Sequence, residues 1–313
     1  MSTDFPYKVE RLSAENIYDL IPLFEYVFGK NVSRHYVESK YDTAYLGIQY
    51  LGHIAYDNGQ PIAYYGAMPF MIEYQGRHIL AAQSGDAMTM PGYNGKGIFT
   101  HLGRLTDALL EAEGIAFVYG WPNQNSYYGY VKKLDWQHVE NMQRYEIKVS
   151  AFPWEKLSRM IPLLRPWYQK RVQRLLKPIA ASQPALKSSV VDAEWGGTLR
   201  NEAFFKYKAF LGNALVELEG VTIWLKADTR LLIGDMQVAS EAELLKAENA
   251  LKKLASALGV PAIIFQVSPG ATLDQWFAKR YQPIESWAIG WKNYSSDIPL
   301  EKLRFTYGDL DTF

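Results

Sequence analysis

The chain has 313 residues, 48% of them hydrophobic, which at roughly 150 residues per domain is enough for about two cored domains and too apolar for a disordered or fibrous chain. Thirty-three Lys plus Arg balance thirty-three Asp plus Glu, so no whole-molecule attraction to nucleic acid or an anionic bilayer is built in, and any anion site must be local. With no cysteine there is no disulfide, thiolate metal site or cysteine nucleophile; the opening MSTDFPYKVERL lacks a signal-peptide pattern, no run reaches the roughly 18 apolar residues of a membrane span, and a cytoplasmic protein without membrane insertion is expected.

In chain order, Ser13 is placed to cap an amphipathic helix carrying Ile17, Leu20, Ile21, Phe24, Val27 and Phe28, ended near Gly29; a shorter helix fits 34–41. Strands at 53–56 and 61–68 flank the turn Asp57-Asn58-Gly59, and 70–74, Gln75-Gly76 and 78–90 continue as a meander. A glycine-rich loop at 91–97 precedes a helix carrying Phe99, Leu102, Leu105, Leu109 and Leu110, terminated by Gly114. A strand at 115–119, a short helix at 126–133 and a strand at 139–149 complete an ααββββαβ-like first half that finishes near Ser150.

Residues 151–190 carry Lys156, Arg159, Arg165, Lys170, Arg171, Arg174, Lys177 and Lys187 against the single acid Glu155, with five prolines, and read as a connector of one or two helices. Such a stretch can be a solvated linker helix packed on two domains by Trp154, Leu164 and Trp167, or can lie on a membrane or polyanion. Beyond it the order repeats in outline: a helix at 201–211, a strand pair at 214–226 turned at Glu219-Gly220, a strand at 231–238, a long helix at 240–258, a strand at 260–267, a short helix at 272–280 and a strand at 287–291. The expected domains are thus 1–150, a basic helical connector over 151–190, and 191–313.

The segment Ser84–Leu102 is the sharpest chemical signal. A strand delivers the chain to Asn94-Gly95-Lys96-Gly97-Ile98-Phe99 and a helix begins at once, so unpaired N–H groups and the positive end of the helix dipole converge on one point that suits a pyrophosphate. The glycines would let the backbone approach a ligand closely. No hydroxyl residue follows Gly95-Lys96 as in a Walker A loop, and the pattern is not G-x-G-x-x-G after a first strand.

This segment resembles the acetyl-CoA-binding motif of the GNAT superfamily of N-acetyltransferases, Arg/Gln-x-x-Gly-x-Gly/Ala, with Asn94 in place of Arg or Gln, Gly97 matching, and Phe99 in place of the small residue. Thr89-Met90-Pro91 resembles the V-x-P that ends the family's fourth strand, whose backbone binds the pantetheine arm. Asn123-x-x-Ser126-x-x-x-Tyr130-x-Lys132 is similar to the family's Asn-x-x-Ala/Ser-x-x-x-Tyr-x-Lys; one residue later than usual, Leu134-Asp135-Trp136 stands for Leu-Gly-Phe. The resemblance covers residues 7–150. It implies an α/β (α+β mixed-sheet) fold with two GNAT-like halves in tandem, as in Eis-like acetyltransferases and Fem-type aminoacyl transferases. In the second half Met236-Gln237-Val238-Ala239-Ser240-Glu241 stands at the phosphate-loop position without glycines and with an acid, so no coenzyme is expected there, and that half would wall the acceptor cleft.

The resemblance implies acetyl-CoA as cosubstrate and a primary amine on a small acceptor, attacking the thioester directly in a ternary complex. The strand N–H near Thr89 is a donor for the oxyanion, Tyr130 or else Tyr128 an acid for the leaving thiolate, and Asp86 either a base through water or a structural hydrogen-bond partner. Coenzyme contacts are expected from Met88, Thr89, Met90, Asn94, Gly95, Lys96, Gly97, Ile98, Phe99, Asn123 and Ser126. His101 could touch a phosphate or simply sit on the helix surface. Asp309–Phe313 reads as a tail free to fray, with a parallel to the Eis-like enzymes, whose terminal carboxylate enters the active site. His35, His53, His78, His101 and His138 show no metal-ligand spacing and no metal or DNA is expected; Ser84-Gly85-Asp86 is not a hydrolase elbow. The 22 Tyr, 9 Trp and 14 Phe suit dense sheet cores or a ligand cleft, and Trp121, Tyr127, Tyr128 and Tyr130 are expected to cluster where the acyl group would lie. Competing readings are a Fem-type transfer from aminoacyl-tRNA, supported by the basic connector, and a coenzyme-binding scaffold without turnover.

Overall fold

The computed structural model describes residues 5–182 and 185–313; the first four residues of the expected N-terminal domain and Gln183-Pro184 of the expected connector lie outside the described residues. In chain order the elements are β1 (Lys8–Arg11), α1 (Leu20–Phe28), α2 (Arg34–Tyr41), β2 (Leu51–Asp57), β3 (Gln60–Tyr74), β4 (Arg77–Thr89), α3 (Ile98–Ala112), β5 (Phe117–Gly120), α4 (Tyr127–Lys133), β6 (Gln137–Lys148), α5 (Trp154–Met160) and α6 (Arg165–Leu176). There follow β7 (Gly197–Thr198), α7 (Glu202–Lys208), β8 (Asn213–Leu218), β9 (Val221–Ala227), β10 (Leu231–Gln237), α8 (Glu241–Leu258), β11 (Ala262–Val267), α9 (Thr272–Ala278) and β12 (Ile284–Asn293). Among the described residues no helix is long and apolar enough to cross a membrane.

The local signals hold where turn chemistry speaks. Asn58 (φ 49°) and Gly59 (φ 81°) close the β2–β3 hairpin in the left-handed conformation that matches strand twist. Ser33 caps α2 by accepting from the Tyr36 amide, and Ser240 caps α8 by accepting from that of Glu243. Two expectations for the first half are corrected and one strand is added. Ser13 does not cap α1: its hydroxyl accepts from Glu15 in a local turn, and the helix starts through a 3-10 turn at Ile17–Asp19. Strands expected at 61–68 and 70–74 are one, because β3 runs through Pro69 without a break. The short β1, too brief for periodicity to reveal, pairs antiparallel with β2 from Lys8↔Tyr56 to Arg11↔His53.

The chain forms two compact units whose segments interleave. The first contains the chain up to Ile72, His78–Val139 and Ala288–Ile298; the second contains Glu73–Arg77, Glu140–Trp287 and Pro299–Phe313. In the first, strand order is β1-β2-β3-β4-β5-β12, with β4 and β5 parallel and Gly290–Asn293 of β12 antiparallel to β5. Asp107 of α3 fastens the returning segment, accepting from Lys292 Nζ at 2.8 Å and Tyr294 Oη at 2.5 Å. In the second, the order is β6-β11-β10-β9-β8, with β10 and β11 parallel and β6 antiparallel to β11. Each unit therefore takes its closing strand from the other half of the sequence, which is why contiguous boundaries at 150 and 190 do not coincide with the compact units.

Each unit has its own core. In the first, Leu51, Ala55, Ile62 and Tyr65 of the sheet pack on Ile98, Leu102 and Leu110 of α3, each fully buried aliphatic contributing roughly 1.5–3 kcal/mol. In the second, Leu244, Leu251 and Leu258 of α8 pack on β9–β11. The connector forms α5 and α6, as expected, and both belong to the second unit; Val172, Leu175 and Leu176 of α6 face its core, and Arg171 donates to the Ala257 carbonyl at 2.9 and 2.7 Å.

Candidate functional site

The site begins where β4 and β5 part. They pair at Ala82↔Val118 and Gln83↔Tyr119, and three residues on, Asp86 takes φ 55°, a conformation that bends an extended strand away from its neighbour. Asp86 is held there by ion pairing to Lys40 Nζ at 2.6 Å, both side chains buried, and by the Tyr41 hydroxyl at 3.0 Å. Beyond the bend the Met90 amide donates to the Ile62 carbonyl of β3. Backbone groups alternate along a strand, so the Thr89 N–H faces away from β3, toward the parted side.

The 91–97 loop is pinned at Tyr93, whose amide donates to Met90 O and whose hydroxyl donates to Asp57 at 2.8 Å. Gly95 and Gly97 both have φ 78°, and nothing lies within 4 Å of a Cβ built on either, so in this structure left-handed backbone rather than crowding requires glycine. Gly97 is the N-cap residue of α3; no side chain caps that end, the first turn carries no acid, and the first amide to return to the helix is that of His101, donating to Gly97 O. The amides of the first turn thus point outward with the positive end of the dipole.

Two clefts within the first unit share Thr89, Asn94 and Phe99. One, of about 760 Å³, surrounds the α3 N-terminus and is lined by Gly95, Lys96, Gly97, Ile98, Thr100 and His101, with Arg104, Tyr128 and Lys133. Three cations, Lys96, Arg104 and Lys133, and an uncapped helix end give this cleft a positive character. His101 stacks on Phe5 with ring centroids 3.8 Å apart, and burial lowers its pKa, so it is a wall of this cleft more than a cation. The other, of about 630 Å³, is lined by Ala87, Thr89, Asn123, Asn125, Ser126 and Gly129, with Tyr26, Val27 and Phe28 from the last turn of α1. Asn123 shapes this wall: its Oδ1 accepts from the Asn125 and Ser126 amides, while Ser126 Oγ accepts from the Asn123 amide.

Of the expected coenzyme residues, Thr89, Asn94, Gly95, Lys96, Gly97, Ile98, Phe99, Asn123 and Ser126 line these clefts. Met88 and Met90 do not: Met88 is buried, and the Met90 amide is bonded to β3. Phe99 is accommodated opposite Gly129, where a Cβ would come within 2.6 Å of the ring. Asp135, at the place of a glycine in the resembling motif, takes φ 61°, which Asp tolerates better than most residues.

The expected catalytic cluster disperses. Tyr130 is 6% exposed, with its ring 4.5 Å from Trp136 and 5.3 Å from Phe99 and its hydroxyl 2.9 Å from Ser84 Oγ, at the point where β4 and β5 separate. Tyr128 is 63% exposed on the anion side. Tyr127 packs on His138 and Trp121 on Tyr119, and none of the four lines the cleft beside Thr89 and Asn123. A helix of seven residues turns successive tyrosines about 100° apart, so neighbours in sequence face different ways. Sequence reasoning passed over Arg104, although it follows Gly97 and His101 on one helical face, and over Tyr26, Tyr93, Lys133 and Gly129, which carry no spacing signal; Val27 and Phe28 were legible only as part of the apolar stripe of α1.

The corresponding place in the second unit is built differently. β10 and β11 pair from Leu231↔Ile263 to Ile233↔Phe265, and β10 bulges against β9 between Ile233 and Asp235, but the chain's last segment occupies the parted side. Thr306 bridges Val267, the Ser268 amide donates to Phe305 O, and the Phe313 ring lies against Gly234 and, at 4.9 Å, Trp224. Buried Arg200 pairs with both Asp235 and Asp309. Asp309–Phe313 is therefore not a frayed tail: Lys208, Asn213 and Lys226 donate to the carbonyls of Leu310, Phe313 and Thr312, and Phe313 is buried. At α8, Ser240 Oγ accepts from the Glu243 amide and the Glu243 carboxylate accepts from the Ala239 amide at 2.9 Å, so this helix end carries a side-chain cap and an acid of its own.

Residues 8–139 match the family described as Acetyltransferase (GNAT) domain. No curated protein matches the chain. Among solved structures it is similar to a conserved protein of unknown function from Enterococcus faecalis V583 described as a probable N-acyltransferase (TM-score 0.60, 14% identity) and to GCN5-related N-acetyltransferases from Kribbella flavida (0.56, 13%) and Anabaena variabilis (0.57, 14%). Each comparison covers 92% of this chain and 72% of the other.

Proposed function

We propose, from the premise that residues 8–139 form a GNAT acetyltransferase domain on a GNAT-type mixed α/β fold, that the protein transfers an acetyl group from acetyl-CoA to a primary amine by direct attack. The carrying observation is the uncapped α3 N-terminus, flanked by Lys96, Arg104 and Lys133, opening beside the parted edge of β4. Bound acetyl-CoA would supply an activated thioester. The α3 amides and the three cations would hold its pyrophosphate, and Thr89, Asn94 and Asn123 would guide its arm into the second cleft. There the Thr89 N–H would donate to the carbonyl oxygen under attack.

Asp86, paired with Lys40 and Tyr41, acts in this reading as a positioning residue that holds the strand open, not as a base. The proton shed by the attacking amine and the proton taken up by the leaving CoA thiolate would balance through Tyr130 and Ser84, whose hydroxyls are bonded to each other. The second unit, which repeats the antiparallel, antiparallel, parallel, antiparallel strand sequence of the first, reads as a degenerate GNAT-like half with its cleft filled.

Acetyl-CoA is expected to raise the melting temperature, and Gly97→Asp, which forces a side chain into left-handed backbone and brings a negative charge to the anion site, to abolish that shift. An unchanged melt of the native protein at millimolar coenzyme would sink the proposal. Free CoA release with a panel of amines separates transfer from the second reading, a coenzyme-binding scaffold, which the burial of Tyr130 and the ion pairing of Asp86 favour. Tyr130→Phe should lower kcat and leave the coenzyme KM unchanged.

A further inference from the structure

Between α5 and α6 the chain presents Met160, Ile161, Pro162 and Leu163 to solvent, Met160 at 68% and Leu163 at 89% exposure. These are not an overhang of the core stripe: the inward side of α6 is Val172, Leu175 and Leu176, packed on the second unit's core, and Arg171 is fastened to Ala257 O. The opposite side of α6 exposes Lys170, Arg174 and Lys177, Arg165 stands beside the apolar tip, and Trp167 is exposed next to it. From Trp154 to Lys177 the acid Glu155 faces seven cations, in a chain whose total charge is zero.

An apolar tip of this size outside any core calls for a partner, and the cations around it restrict which. A nucleic acid would reward the cations but gain nothing from Leu163. An anionic bilayer rewards both, since cations adsorb to the headgroups while apolar side chains enter the boundary beneath them, and an aromatic such as Trp167 suits that boundary. We infer that the α5–α6 tip and the basic face of α6 dock this protein reversibly on an anionic lipid surface. The inference is independent of the acyl-transfer reading, because every residue it uses lies outside the two clefts.

The test is co-sedimentation of the full chain with vesicles of phosphatidylcholine and phosphatidylglycerol in equal parts, against phosphatidylcholine alone. Binding is expected to the mixed vesicles only, weakening as salt rises. Leu163→Asp should cut it roughly ten-fold or more, as expected for losing a buried leucine. The double variant Lys170→Ala/Arg174→Ala should cut it by about five-fold per charge. All three positions are exposed, so the melting curves of the variants should match that of the native protein, and a match excludes unfolding as the cause. Binding to neither vesicle, or equal binding to both, overturns the inference. So does native-level binding by Leu163→Asp, retention on heparin that Leu163→Asp does not alter with no vesicle binding, or vesicle-independent self-association that Leu163→Asp abolishes.

Discussion

The β4–α3 and β10–α8 segments are the same strand-loop-helix device put to opposite uses. Both follow a strand that carries a buried aspartate side chain two or three residues past its last pair with the parallel neighbour, Asp86 in one and Asp235 in the other. In the first, glycine at the cap leaves the helix amides without partners and the parted edge open to a cleft. In the second, Ser240 caps the helix by accepting from the Glu243 amide, Glu243 brings a negative charge to the same end, and the segment from Phe305 to Phe313 fills the gap. In the proposed reading the anion site depends as much on what is left unsatisfied as on what is added: a helix N-terminus is available to a ligand only while no side chain has taken its amides.

The largest test of this contrast is Arg200→Met. It leaves Asp235 and Asp309 buried without their cation and should cost about 3–5 kcal/mol of stability, read as a lowered denaturation midpoint. Phe313→Ala, which empties the space beside Gly234 and Trp224, should cost about 3 kcal/mol. Calorimetric titration should still find one acetyl-CoA per chain in that variant, and a second site would break the contrast by making the last segment the sole bar to binding.

A third expectation concerns pH. His53 of the first unit, 3.0 Å from Thr106 Oγ1, has its pKa lowered to about 4, chiefly by burial, then by Arg11 and His101. A folded-state value below the unfolded value of about 6.5 means that the unfolded chain gains its proton first. The contribution is thus whole above about pH 6.5 and is lost as pH falls toward 4, on the order of 1–3 kcal/mol. His53→Gln should flatten that part of the stability–pH curve; an unchanged slope would assign the acid sensitivity elsewhere. The smallest effect belongs to Ser240→Ala, about 1 kcal/mol from the lost cap, with the acetyl-CoA shift intact.

Much of the first site was legible because its determinants are local. Gly95 and Gly97 specify left-handed turns, and Thr89, Asn94 and Phe99 stand within eleven residues on a strand, a loop and a helix whose order the pattern reveals. Tyr130 was legible as a residue but not as a position, since which way a short helix turns its tyrosines depends on Trp136 and Phe99 packing against it. The partner of Asp86 was out of reach, because Lys40 lies far back in the chain on another helix.

The sequence by itself determined the α/β class, the glycine loop, the two connector helices and the repeated order of elements in the second half, all features carried by period and turn chemistry over a few neighbouring residues. Only the tertiary structure decided that β12 closes the sheet of the first unit and β6 that of the second, that Asp86 is ion-paired, and that the last segment plugs the second unit. A strand's alternation states which face it buries but not which edge it joins, and a buried charge is settled by whichever distant residue folds up beside it.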